Sequence, residues 1–139
     1  MKPNPHQNTA VIGVGSNIDP EKNIEHARTA LVHTHQLIAE SRFTQTEPIG
    51  YADQSPFTNG VWLIKTEMDK NKLTEWLHDL EGQLERVRTE NKYGPRTIDL
   101  DVVVWNGQIV DSNVYERDYL KQAVLEVLPD LVDQFDVLK

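Results

Sequence analysis

Apolar and polar residues alternate along some stretches of this chain and recur at helical spacing along others, and the order of those stretches predicts a fold. Ala10-Val11-Ile12-Gly13-Val14 reads as a first strand that ends at Gly15-Ser16-Asn17. Asp19-Pro20 reads as a helix start, because Asp caps free N–H groups and Pro fits the first helical position. Ile24, Ala27 and Leu31 follow helical spacing, and this helix is expected to end near His33–His35. Leu37 to Thr46 reads as a second strand, and Glu47 to Pro56, with two prolines and a glycine, as a loop. Thr58 to Thr66 is a third strand, with Val61 and Leu63 on one face and Trp62 and Ile64 on the other. A second helix starts at Asp69 or Asn71, and Leu73, Trp76, Leu77, Leu80, Leu84 and Val87 form its apolar stripe. The turn Asn91–Pro95 leads into a fourth strand, the one that carries Asp99 and Asp101 and runs to Trp105. Ile109-Val110 could add a short strand, and Tyr119 to Leu128 reads as a short third helix ended by Pro129.

The order β-α-β-β-α-β predicts an α+β fold of the ferredoxin-like kind, an antiparallel sheet with its helices packed on one face. The other face would then be available for a site. Residues 1–9, polar and carrying two prolines, read as a flexible tail, and residues 10–139 as a single domain. At 139 residues with 38% hydrophobic and 26% charged positions, the chain can bury a sizeable core.

The formal net charge of −8 argues against a general nucleic-acid surface, and no stretch approaches a membrane span. Cysteine is absent, which excludes disulfides and thiolate metal sites. The start has no apolar stretch of the kind a signal peptide needs, so the cytoplasm is the expected location. A monomer is expected.

Within this frame Asp99 and Asp101 stand out. Residues two apart in a strand share a face, so both carboxylates point the same way, roughly 6.6 Å apart, with Ile98, Leu100, Val102 and Val104 expected on the opposite side. Like charges so placed call for a cation, either Arg96 or a hard metal ion such as Mg²⁺. Arg86, Arg88, Lys92 and Arg96 fall within eleven residues and run directly into the pair. Such a cluster suits a polyphosphate, or simply a solvated, salt-bridged helix end.

Glu81 sits on or beside the apolar stripe of the second helix, where a carboxylate is costly unless partnered. It either reaches water or Arg88 at the stripe's edge, or faces the site. Gly13-Val14-Gly15-Ser16-Asn17 lacks the Gly-Lys-Ser/Thr ending of a phosphate loop and reads as a strand-to-helix turn, from which Asn17 could offer its amide to a ligand. His6, His26, His33, His35 and His78 form no zinc pattern, and most are expected to be exposed. The long loop Thr46 to Asn59 supplies Phe57, a flat aromatic, and Asn59, an amide with donor and acceptor. Those groups suit a planar heterocycle, or else Phe57 packs on the core of a stiffened surface loop.

Arg86-Val87-Arg88, followed by Gly94-Pro95-Arg96-Thr97-Ile98-Asp99-Leu100-Asp101, together with Gly15-Ser16-Asn17 and the Thr46–Asn59 loop, resembles the hydroxymethyl-dihydropterin pyrophosphokinase family of folate synthesis. The similarity runs from Val11 to Val104 and more weakly through Leu131. It implies a ferredoxin-like enzyme that moves a pyrophosphoryl group from ATP to a dihydropterin alcohol and releases AMP. On this resemblance Asp99 and Asp101 hold a pair of Mg²⁺ ions. Arg86 and Arg96 contact the triphosphate, Arg88 and Tyr93 belong to the same closing loop, and Ile98 joins them in the ATP site. Thr46, Pro48, Ile49, Phe57 and Asn59 form the pterin pocket, with Tyr119 beside it. Asn17, Gln54, Glu81 and Arg117 support the site.

One segment departs from the family pattern. Asp111-Ser112-Asn113-Val114-Tyr115-Glu116 is too short for the family's Pro-His-Tyr stretch, and no histidine follows His78. The alternatives are therefore a catalytically weak pterin- or nucleotide-binding paralogue, a pyrophosphokinase for a modified pterin, or a small regulatory domain whose aspartates merely pair with Arg96.

Overall fold

A computed structural model describes residues 7–46, 56–86 and 98–136. Its central strand, β1 (Asn8–Ser16), extends the expected Ala10–Val14 strand in both directions and is hydrogen-bonded on both edges. β4 (Phe57–Thr66) lies antiparallel on one side and β5 (Asp99–Trp105) on the other. β2 (Gln36–Glu40) and β3 (Thr44–Thr46) both pair with β4, and the two-residue β6 (Gln108–Ile109) pairs with β5. The strand order β2-β4-β1-β5, all antiparallel, is the split β-α-β arrangement that the element order predicts.

α1 (Pro20–Thr34) and α2 (Lys70–Arg86) cover one face. Ala10, Ile12, Val14, Trp62, Ile64, Ile98 and Leu100 from the sheet meet Ala27 and Leu31 of α1 and Leu73, Leu77 and Leu80 of α2. Both helices begin where the polar signals place them. The Asp19 carbonyl accepts from Asn23 N–H, and the Asp69 carboxylate accepts from Lys72 N–H at 2.8 Å. None of the described helices is long and apolar enough to cross a membrane.

Three expectations need correction. The Leu37–Thr46 stretch is two strands, because Ser41, Arg42 and Phe43 leave the ladder between β2 and β3. Ser41 bridges that interruption: its N–H donates to the Val61 carbonyl and its hydroxyl accepts from Val61 N–H. Val104 does not share a face with Ile98, Leu100 and Val102. The register against β1 slips between Val11 and Ile12, whose partners are Val104 and Val102, so Val103 is an extra residue in a β-bulge. Val103 and Val104 consequently both join the second core.

The second face is not bare either. α3 (Asn113–Glu116), α4 (Asp118–Val127), a 3₁₀ turn (Pro129–Leu131) and α5 (Val132–Asp136) fold back over it. Val114, Ala123, Val124, Leu131 and Phe135 pack there on Val11, Val61, Leu63 and Val103. The end of that face beyond Gly13 remains open.

Candidate active site

Along the open face β1 presents Val11, Gly13 and Gly15 in turn, since alternate residues share a face. The side chains shrink to nothing, and the floor of a cavity of about 370 Å³ is bare strand. Neighbouring strands supply its walls through their register. Gly15 is paired with Asn59 on β4 and Asp99 on β5, and Gly13 with Val61 and Asp101. Asn59 and Asp99 therefore flank Gly15 on one face, two strand spacings or roughly 10 Å apart. Asp99 and Asp101 do project to the same side, and both line the cavity.

Gly15 allows a close approach. A Cβ there would lie 2.6 Å from Asn59 Oδ1. The other end of that amide donates from Nδ2 to Thr46 Oγ1 at 2.7 Å, which anchors the Asn59 side chain over Gly15. Thr46 and Phe57, at the facing ends of β3 and β4, line the same end of the cavity. The wall opposite the sheet carries Asp111, Asn113, Arg117 and Tyr119. Arg117 Nη1 donates to Tyr119 Oη at 3.1 Å, and that hydroxyl, followed by Asp111 and Glu116, holds the Arg117 pKa above its ordinary value.

Glu81 pairs with the backbone. Its Oε2 accepts from Leu100 N–H at 2.7 Å, at the residue between the two aspartates. Burial pushes the Glu81 carboxyl above the usual range, the Leu100 bond pulls it back, and the charges of Asp99 and Asp101 raise it further.

The sequence profile described as 7,8-dihydro-6-hydroxymethylpterin-pyrophosphokinase matches residues 11–129. The chain belongs to this family. It is similar to the 2-amino-4-hydroxy-6-hydroxymethyldihydropteridine pyrophosphokinase of Bacillus subtilis, 32% identical over 93% of this chain and 81% of that protein. The proteins of the same name from Methylorubrum extorquens and Haemophilus influenzae are 36% and 31% identical, over 88% and 89% of this chain and 84% of each relative.

For a member of the pyrophosphokinase family, the structure gathers Thr46, Phe57, Asn59, Asp99, Asp101, Arg117 and Tyr119 around one cavity. Asn17 is 5% exposed at the end of β1 and is not part of the lining, and the Ile98 side chain is fully buried in the helix-side core. Only the main chain of Ile98 can face a nucleotide. Arg86 ends α2, and its side chain lies outside the described residues, as do Pro48, Ile49, Gln54, Arg88, Tyr93 and Arg96. The proposed closing loop lies outside them from residue 87 onward.

Asp99 and Asp101 offer hard carboxylate oxygens on one face of an open cavity. Among the described residues no group of three His, Cys, Asp or Glu side chains could hold a metal. This donor set fits Mg²⁺, which takes one or two carboxylates and completes its shell with water and phosphate oxygens. Gly13, Gly15, Asp111 and Asn113 were not expected in the site. Glycines at alternate positions of a strand signal a close approach, and that is the signal the turn reading passed over.

Proposed function

We propose that this protein transfers the pyrophosphoryl group of ATP to the hydroxymethyl group of 6-hydroxymethyl-7,8-dihydropterin, releasing AMP, with Asp99 and Asp101 holding Mg²⁺. The observation that carries this reading is the row Asn59–Gly15–Asp99 across the sheet, which joins an amide suited to a heterocycle edge to a carboxylate pair suited to a metal–triphosphate. Asp99 and Asp101 would hold the ion, which would supply positive charge to offset the negative charge that develops in phosphoryl transfer.

The chain's own residues bind and orient. Asn59, its amide held by Thr46, offers donor and acceptor to the pterin, and Phe57 and Tyr119 supply flat surfaces beside it. Thr46, Pro48 and Ile49 contribute main-chain groups to the pterin pocket. Asp99 and Asp101, on one face of the cavity, would hold the divalent ion at the triphosphate end of the site. Arg86 and Arg96 bind phosphate oxygens bidentately, with Arg88 and Tyr93 closing over the nucleotide and excluding water. Gln54, Asn17 and Arg117 support these groups.

Incubation with ATP, Mg²⁺ and the pterin alcohol is expected to yield AMP in proportion to pterin consumed. Its absence, with ATP turned over to ADP or not at all, would contradict the proposal. A second reading, binding without efficient turnover, is favoured by the short Asp111–Glu116 segment. Calorimetry beside the AMP assay separates the two: tight pterin binding with no AMP supports the second.

A further inference from the structure

The cavity crosses the sheet, and its lining changes from one side to the other. Thr46 and Asn59 stand on β3 and β4, Gly13 and Gly15 on β1, and Asp99 and Asp101 on β5. Beyond β5 runs the line of β6, one strand spacing or about 5 Å further out. Val110 N–H donates to the Val103 carbonyl at 3.0 Å, so Asp111 leaves the sheet beside the outer edge of β5. It is therefore on the far side of the aspartate pair from Asn59, and it lines the cavity together with Asn113. The two are held in place. Asp111 Oδ1 accepts from Asn113 N–H at 2.9 Å, and the Asp111 carbonyl accepts from Val114 N–H at 3.1 Å. Val114 is fully buried in the second core, and the Tyr115 ring meets Phe135 edge-on at 5.5 Å. Asp111 Oδ2 and the Asn113 side-chain amide make no hydrogen bond with the described residues, and both residues are half-buried.

A fixed carboxylate oxygen beside an amide calls for a ligand that donates and accepts. An ATP phosphate has no proton to give and repels a carboxylate. A metal role is also excluded, since among the described residues no third acid joins Asp99 and Asp101 in a group that could hold an ion. Sugar hydroxyls fit, because each O–H both donates and accepts, and an acidic side chain reads ribose hydroxyls in this way in dinucleotide-binding folds. Arg117 lies near enough for its charge and that of Asp111 to stabilise each other.

We propose that Asp111 and Asn113 are specificity residues for the nucleotide: they hydrogen-bond the ribose hydroxyls of ATP, Asp111 through Oδ2 and Asn113 through its amide, and so select a ribonucleotide. This rests on the pyrophosphokinase reading, in which the triphosphate lies at Asp99 and Asp101 with the pterin on the Asn59 side. The nucleoside then leaves the aspartates on the side away from β1, where Asp111 stands.

Initial rates with ATP and with 2′,3′-dideoxy-ATP, at saturating pterin alcohol and Mg²⁺, give kcat/KM for each nucleotide. The wild-type protein is expected to favour ATP by about thirtyfold, the size of one charged and one neutral hydrogen bond. Asp111→Ala should bring that preference to within about threefold, and Asn113→Ala to about tenfold, through poorer use of ATP. A wall that had merely collapsed would lower the use of both nucleotides and keep their ratio, which would overturn the inference. Equal use of the two nucleotides by the wild type would overturn it as well. Should Asp111→Ala not fold, Asn113→Ala answers the question, since it removes a side chain with no hydrogen bond to the described residues: an unchanged ratio contradicts the inference and a narrowed one supports it. No AMP from the wild-type protein with ATP would remove the pyrophosphokinase reading itself, an outcome distinct from turnover without discrimination.

Discussion

Gly15 acts through the side chain it lacks. Asn59 Oδ1 occupies the space a Cβ would need, at 2.6 Å, while Asn59 Nδ2 is bonded to Thr46. In Gly15→Ala the Asn59 amide must swing away and lose that bond. The KM for the pterin should rise about tenfold, the size of a lost hydrogen bond to a buried partner, with the KM for ATP nearly unchanged. Steady-state kinetics with each substrate varied in turn checks this, and an equal rise in both would count against the separation of the two subsites. Asp101→Ala removes half of the proposed metal carboxylates and should lower AMP formation by about a hundredfold or more. Survival within tenfold would exclude the metal role. The aspartates were legible in the sequence because strand alternation fixes their common side. Gly13 and Gly15 were not, because a glycine that opens a cavity and a glycine that makes a turn look alike until the strand is known to run to Ser16.

Strand β5 shows how one irregularity sorts an element. Before the bulge Ile98, Leu100 and Val102 face the helices and the aspartates face the cavity; after it Val104 packs in the second core and Trp105 against the first. Val102, Val103 and Val104 are identical in chemistry, so nothing in the sequence marks Val103 as the extra residue. The helices were easier to read, since a cap residue and an apolar stripe are both local signals. Asp69 is such a cap, and Asp69→Ala should lower stability by about 1 kcal/mol while leaving turnover unchanged. Urea unfolding beside the AMP assay measures both. The close fit of Phe43 on β4 makes a stronger claim. A Cβ at Gly60 would lie 2.6 to 2.7 Å from the Phe43 ring, so Gly60→Ala should lower stability by roughly 1–3 kcal/mol through overpacking.

Across the whole molecule the two cores divide the work. The helix-side core packs the sheet against α1 and α2, and the C-terminal helices close one end of the other face and leave the cavity at the far end. Their presence was only partly legible: α4 has a stripe, but α3 and α5 are too short for a periodic signal. His35 reports on the global equilibrium. It is 6% exposed, hydrogen-bonded through Nδ1 to Thr66 Oγ1 and packed edge-on against Trp76, and burial lowers its pKa from the ordinary 6.5. The unfolded chain therefore takes up this proton first as pH falls. The stability supplied by neutral His35 is complete above 6.5 and is lost as pH drops through the folded value. Thermal unfolding between roughly pH 7.5 and 5.5 should show a fall that is shallower in His35→Gln; an identical slope would remove His35 from the account. The central claim is that Asp99 and Asp101 together grip a divalent ion in front of the β1 glycines. Anomalous scattering from crystals grown with Mn²⁺ and a non-hydrolysable ATP analogue tests it most directly. Peaks within coordination distance of both carboxylates are predicted, and Mn²⁺ bound to the phosphates but away from these two side chains would contradict it.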